Sequence, residues 1–313
     1  MRLLTRRYEK GRLVTRFCGI PVKKQARVEL TENEKALRRE FLSMADIAEM
    51  PPARGVARDV QLAGLVLLRE VMRVADAEGF HPWTIAGTLL GMVRQKGRFI
   101  PWDDDVDLGI IREEYVKFVE VFNAKARPGF SARYRYHRKW CQIKISHVDL
   151  PEDVTMSLLP FDRYVRPLPT LQEKHDLFLR VKAEQSRLDK ELPADISDAD
   201  HQAAFDDSRI RVLNGGLPAA PAEARPAVYR SVEFSVAGWV KETAYDYDDI
   251  FPLRRGVFEG VEINTPNDPE MAAILNYGDY ADWPGLLRPH HPASRFNMEK
   301  AICLRKFVRQ HAD

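Results

Sequence analysis

Apolar positions along this chain change their period several times, and each change marks an element. Between residues 56 and 77, Leu62, Leu65, Leu68, Met72 and Ala75 recur at three- and four-residue spacing. That period predicts an amphipathic helix whose apolar stripe is core, and Gly79 supplies its stop. Upstream, Thr31 and Glu34 form a capping-box pair ahead of Leu37, Phe41, Met44 and Ala48, until Pro51, Pro52 and Gly55 break the chain. Residues 7–14 predict a small hairpin turning at Lys10-Gly11. Past the long helix, residues 83–86 read as a short strand, 89–95 as a short helix and 106–111 as an apolar strand. Tyr115, Phe118, Val119 and Phe122 return to the helical period, and three strand-like runs follow at 130–137, 140–147 and 154–165. Thr170 with Glu173 opens a long polar helix to about residue 188. Residues 193–226, rich in Ala, Asp, Pro and Gly, predict a loop-bearing helical segment turning at Asn214-Gly215-Gly216. A hairpin pattern at 257–263 and a helix capped by Asp268 come last.

This order predicts an α+β protein, a mixed β-sheet with helices packed on it. Four stretches are expected: an N-terminal hairpin and helix extension (1–55), a core (56–166), a helical insertion (167–250) and a C-terminal segment packing on the core (251–313).

Composition narrows the function. The chain has 313 residues and a net charge of +2 with both signs interspersed, so no nucleic-acid partner is expected. The first 25 positions are locally basic but form no amphipathic face, which allows at most peripheral membrane contact. Cys18, Cys141 and Cys303 have neither metal-ligand spacing nor the count of a disulfide framework. With no apolar leader and no membrane-length run, the expected location is the cytoplasm, any membrane contact being at its inner face.

The chemistry concentrates at residues 87–108. Asp103, Asp104, Asp105 and Asp107 put four carboxylates into five positions, directly after Pro101-Trp102 and before an apolar run. Such neighbours repel unless a cation sits among them. On an extended strand Asp105 and Asp107 face the same side, the geometry of two oxygen ligands on a hard divalent ion. Mg2+ is expected, with Mn2+ as the alternative. Upstream, Gly87-Thr88 opens a helical pattern, where backbone N–H groups and the helix dipole favour an anion. An anion cradle beside metal carboxylates reads as phosphoryl-group chemistry. Other signals read as packing or solvated turns: the aromatics Trp239, Tyr245, Tyr247 and Trp283, whose sharper reading is a cage for a quaternary ammonium, the pair His290-His291, and His137 with Cys141.

Gly-Thr-Leu-Leu-Gly at 87–91 with Arg94, followed by Pro-Trp-Asp-Asp-Asp-x-Asp at 101–107, closely resembles the LicD/fukutin family of the polymerase-β-like nucleotidyltransferase superfamily. The resemblance continues at Lys144-Ile145, at 158–162, at Phe251-Pro252-Leu253 and at Leu275-Asn276-Tyr277-Gly278-Asp279-Tyr280. It implies a nucleotidyltransferase-like fold. It also implies metal-dependent transfer of a phospho-alcohol, phosphocholine or a ribitol or glycerol phosphate, from a CDP-activated donor to a glycan hydroxyl. The acceptor would be a lipopolysaccharide, capsule or teichoic-type polymer. Carried over by position, Gly87 and Thr88 match the phosphate-holding turn, Asp105 and Asp107 the metal carboxylates, and Arg94 and Lys144 substrate-binding positions. The family usually carries an acid where this chain has Ser157. A different acid, Asp162 or Asp103, is therefore expected to take the acceptor proton. Nucleotidyl transfer from an NTP, or a binding module that kept the fold, are the alternatives.

Overall fold

The computed structural model describes residues 4–9, 12–17, 20–25, 40, 46–137, 140–193, 195–233, 244–281 and 297–311. Thr31, Glu34, Cys18, Trp239, Trp283, His290 and His291 lie outside them, as does most of the predicted helix at 37–48, and the His137 side chain is likewise not described. The chain divides into two compact units, residues 1–46 and 47–313. In the first, β1 (Leu4–Glu9), β2 (Arg12–Phe17) and β3 (Ile20–Gln25) form an antiparallel meander. The first pairing closes at Glu9↔Arg12, on either side of the expected turn.

The larger unit begins before residue 56. Gln95 Nε2 donates to the Ile47 carbonyl and Arg98 to the Ala48 carbonyl, which ties the short turn Ile47–Glu49 to it. Helix α1 (Val56–Glu78) ends at Gly79, whose φ of 75° is the left-handed stop the sequence signals. Two-residue β4 (Trp83–Thr84) leads to α2 (Ala86–Val93), which starts three residues earlier than its apolar pattern suggests. Then come β5 (Asp107–Ile111), α3 (Arg112–Lys125), β6 (Phe130–His137), β7 (Trp140–His147) and β8 (Met156–Arg163). Next are α4 (Leu171–Glu191), with the Thr170–Glu173 capping box formed, and α5 (Asp198–Asp207), continued by a π-helical turn, Ser208–Leu213. Strands β9 (Val228–Arg230) and β10 (Ala244–Tyr245), short α6 (Tyr247–Ile250), the hairpin β11 (Arg254–Phe258) and β12 (Val261–Thr265), α7 (Pro269–Tyr277) and α8 (Met298–Gln310) follow.

The main sheet runs β10-β9-β8-β5-β4-β12-β11, with β7 on β8 and β6 on β7. Pairs β5–β8 and β4–β12 are parallel and the others antiparallel. The sheet is therefore mixed, and the fold is α+β. Strand β8 is central: its first half pairs with β7, its second with β9, and its other edge with β5. The expected insertion is thus not separate, since β9 and β10 complete the same sheet. Strand alternation sorts the core. Leu108, Ile110, Ile143, Ile145, Met156 and Leu158 pack under α1 and α3. Ile111, Leu159 and Phe161 pack on the other face, with Leu89 of α2 and Leu275 of α7.

Candidate active site

The acidic turn is pinned at both ends. Phe99 and Ile100 are buried before it and Val106 after it, and Phe99 meets Phe258 edge-on with centroids 4.7 Å apart. Gln61, buried on α1, donates to the carbonyls of Ile100 and Asp103 at 3.2 and 2.8 Å. Glu259, salt-bridged to Arg58, accepts the Phe99 N–H. The loop is therefore held by core packing and by buried hydrogen bonds.

Those carboxylates converge. Ligand oxygens of Asp103, Asp104 and Asp105 lie within 4.8 Å of one another on half-buried residues. Three hard oxygen donors at that spacing suit Mg2+ or Mn2+. Asp107, the first residue of β5, is not part of that group. Asp105 links the two sets, because both Asp105 and Asp107 act on the Lys144 ammonium: burial pulls that group below the usual lysine value, and the two acids oppose the shift.

The glycines of the motif have a steric reason. A Cβ on Gly87 would sit 2.1 Å from an Asp103 carboxylate oxygen, so the acidic turn lies directly over the start of α2. A Cβ on Gly91 would sit 2.5 Å from the Arg98 carbonyl. The Gly-x-x-x-Gly spacing lets the 94–103 loop lie against the helix.

Thr88 differs from its expected role. It is buried, and its hydroxyl accepts the Asp107 N–H at 3.0 Å. It fixes the start of β5 rather than reaching outward to a phosphate. Arg94, also buried, donates through Nε to Gln95 and through Nη1 to the Tyr280 carbonyl, with Trp102 stacked 5.9 Å away. Burial lowers its pKa, and Tyr277 and Asp103 oppose that. Arg94 therefore braces the end of α2 beside Asp103.

Asp162 is not with the other acids. Strand β8 carries Pro160 in unbroken register with Ile110, with no bulge to redirect the chain. Five residues separate Ser157 from Asp162, roughly 16 Å along a strand and an odd number, so the two side chains face opposite sides. Asp162 is buried under α3, takes a two-pronged bridge from Arg112 at 2.9 and 3.1 Å, and has Arg209 at 3.7 Å. Burial alone would raise its pKa, but these cations hold it below the usual carboxylate range. A carboxylate so engaged, away from the acidic turn, does not serve as the acceptor's base.

Lys144 does join the site. Its Nζ donates to Ser157 Oγ at 2.7 Å. Together with Asp104 and Asp105 it lines a cavity of about 590 Å3, and Arg133 and Arg135 of β6 extend the cationic side. Tyr277, at the end of α7, also reaches the acids: burial first, then Asp103, drive its phenol pKa far up, so it stays a hydrogen-bond donor. The sequence reading gave no role to Gln61, Tyr277, Arg133 or Arg135. A lone amide on an apolar helix face and a tyrosine inside a resembling block were the available signals. Tyr245 is buried and hydrogen-bonded to Asn276, and Tyr247 packs on Phe251, so both serve the core. Cys141 is buried and its thiol pushed up to about 12, chiefly by burial, which suits packing and not zinc ligation.

The fold is α+β with a mixed sheet, and the acidic turn sits at the entry to its central parallel pair. Residues 79–192 match the LicD/FKTN/FKRP nucleotidyltransferase domain. The chain is 58% identical over 36 residues to the lipopolysaccharide cholinephosphotransferase LicD of Haemophilus influenzae, 12% of this chain and 13% of that protein. It is 43% identical over 58 residues to the ribitol 5-phosphate transferase FKRP of Homo sapiens, 18% of this chain and 12% of that protein. An uncharacterized protein of Rickettsia prowazekii matches at 26% over 103 residues, 31% of this chain and 38% of that protein. The chain thus spans well under half the length of the curated relatives it matches. No helix among the described residues is long and apolar enough to cross a membrane.

Proposed function

We propose that this protein transfers a phospho-alcohol, phosphocholine first among them, from a CDP-activated donor to a hydroxyl of a cell-surface glycan, releasing CMP. The observation that carries the reading is the convergence of Asp103, Asp104 and Asp105 beside a cavity that Asp104, Asp105 and Lys144 line, inside a LicD-type domain. Choline is favoured by the likeness to the Haemophilus influenzae cholinephosphotransferase, and ribitol phosphate, from the human relative, is the second arm.

In this reading the acceptor oxygen attacks the phosphorus that bears the alcohol, the bond from that phosphorus to the CMP oxygen breaks, and CMP leaves. Asp105 and Asp107 hold Mg2+, or Mn2+ in its place, with Asp103 and Asp104 beside them. When bound, the ion supplies charge stabilisation for the departing CMP. Backbone N–H groups at Gly87 meet a donor phosphate, Thr88 sets the position of Asp107, and Arg94 balances charge next to Asp103. Lys144 binds the donor's phosphoryl oxygens as a point charge. Of the two acids expected to take the acceptor proton, Asp103 is the one in the acidic turn, and it takes that role here. The acceptor is a lipopolysaccharide, capsule or teichoic-type polymer met at the cytoplasmic side of the membrane, with at most peripheral lipid contact.

The test is CMP release from CDP-choline, CDP-ethanolamine, CDP-glycerol and CDP-ribitol, with Mg2+ and with chelator. Metal-dependent release from one donor, lost in Asp105→Asn and Asp107→Asn variants that keep the wild-type melting temperature, is the expected result. Release of pyrophosphate from an NTP, or no turnover of any donor, would replace it.

A further inference from the structure

Asp107, Ser157 and Lys144 form one lateral row across β5, β8 and β7, through the pairings Asp107↔Ser157 and Lys144↔Ser157. Neighbouring strands stand about 4.8 Å apart, so the three side chains share one small volume on one face of the sheet. On that face α2 and α7 cover the later part of β5 and β8, through Leu159 and Phe161, while Lys144, at the end of the row, lines the cavity with Asp104 and Asp105. The Lys144 ammonium is fixed by its 2.7 Å hydrogen bond to Ser157. A serine hydroxyl is neutral, so it positions the charge without cancelling it. A carboxylate at 157 would do the opposite. It would neutralise Lys144, or, with the lysine gone, give a divalent ion an oxygen next to Asp107.

We propose that the Lys144 ammonium, held by Ser157, stands in for a second divalent cation, so that this site takes one metal ion and the ammonium meets the phosphoryl oxygens from the side opposite it. The proposal rests on the metal reading of Asp105 and Asp107 above. Its physical basis is repulsion: a second divalent ion against Asp107 would lie beside a fixed positive charge in a partly buried site, where screening is weak. The same charge lowers the affinity of the first ion.

Mn2+ is the probe, counted by electron paramagnetic resonance on the full chain with CMP present, a readout independent of turnover. One Mn2+ is expected in the wild type, and two in Ser157→Asp combined with Lys144→Met. In Lys144→Met alone, one Mn2+ should bind about tenfold more tightly, the size of one screened charge–charge contact, while transfer is lost. Lys144→Arg should keep one Mn2+ at wild-type affinity. Two ions in the wild type, one in a folded double variant, or unchanged affinity in Lys144→Met would each overturn the proposal. If the double variant does not fold, the Lys144→Met affinity decides. No Mn2+ in the wild type would overturn the metal reading and this proposal together.

Discussion

At the scale of single residues, two aspartates of the sequence have opposite fates. Asp105 sits in a half-buried turn with Asp103 and Asp104, their ligand oxygens within 4.8 Å of one another. Asp162 sits among cations already supplied by the chain: Arg112, Arg209 and the Ser231 hydroxyl hold it, and Glu233 bridges the same Arg112. Their substitutions should separate accordingly. Asp162→Asn leaves buried guanidinium charge undercompensated and should lower unfolding free energy by on the order of 3 kcal/mol, measured by urea titration. At a temperature where the variant remains folded, its turnover per folded molecule should stay near wild type. Turnover lost without loss of stability would return Asp162 to the chemistry.

At the scale of elements, the start of α2, the turn over it and the start of β5 work as one piece. Thr88 joins α2 to β5, Gln61 joins α1 to the turn, and Gly87 and Gly91 let the turn lie on the helix. The two glycines predict different phenotypes. Gly87→Ala meets the tip of one flexible side chain, Asp103, so the fold should survive with a melting temperature close to wild type. Mn2+ affinity should fall instead, because one acid of the cluster is pushed aside. Gly91→Ala meets a backbone carbonyl, which moves only with its loop, and should cost about 1–3 kcal/mol in chemical unfolding. Equal losses of stability in both would show that Asp103 is as rigidly placed as the backbone.

At the scale of the whole molecule, a buried acid ties the helical layer together. Glu70 of α1 is fully buried and binds Arg73 and, at the end of α3, both the N–H and the Nε of Arg127. Burial works to raise its pKa, but these donors outweigh it and lower it from 4.5 to about 2. A depressed carboxylate stabilises the fold above its unfolded value and loses that contribution as pH falls through the folded one. The protein should therefore keep this contribution at neutral pH and lose it progressively between about pH 5 and about pH 2. Glu70→Gln should melt lower than wild type at pH 7, with the gap closing towards pH 2. A gap that stays constant with pH would place the loss in packing, not charge.

Much of this was legible in one dimension because it obeys local rules. The Thr170–Glu173 capping box, the Gly79 stop, the 3.6-residue stripes and the alternating runs specify α1, α3, α4 and β6 to β8 from neighbours alone, and the run of carboxylates at 103–107 marks the acidic turn. The missing acid at Ser157 pointed to Asp162, which the structure places away from the acidic turn, on Arg112. The register Ile110↔Pro160 is a property of two strands 50 positions apart, and with the pairing Asp162↔Tyr229 it keeps β8 regular and turns Asp162 to the far face. The same holds for the return of β9 and β10 to the sheet, for Gln61 under the acidic turn, for Tyr277 beside Asp103 and for Lys144 on Ser157. Each depends on which strands and helices become neighbours, and that choice is made by burying apolar surface over the whole chain. Sequence by itself determined the elements and the acidic chemistry. Tertiary structure decided which charges face one another, because a charge acts through distance in space and distance along the chain does not fix it.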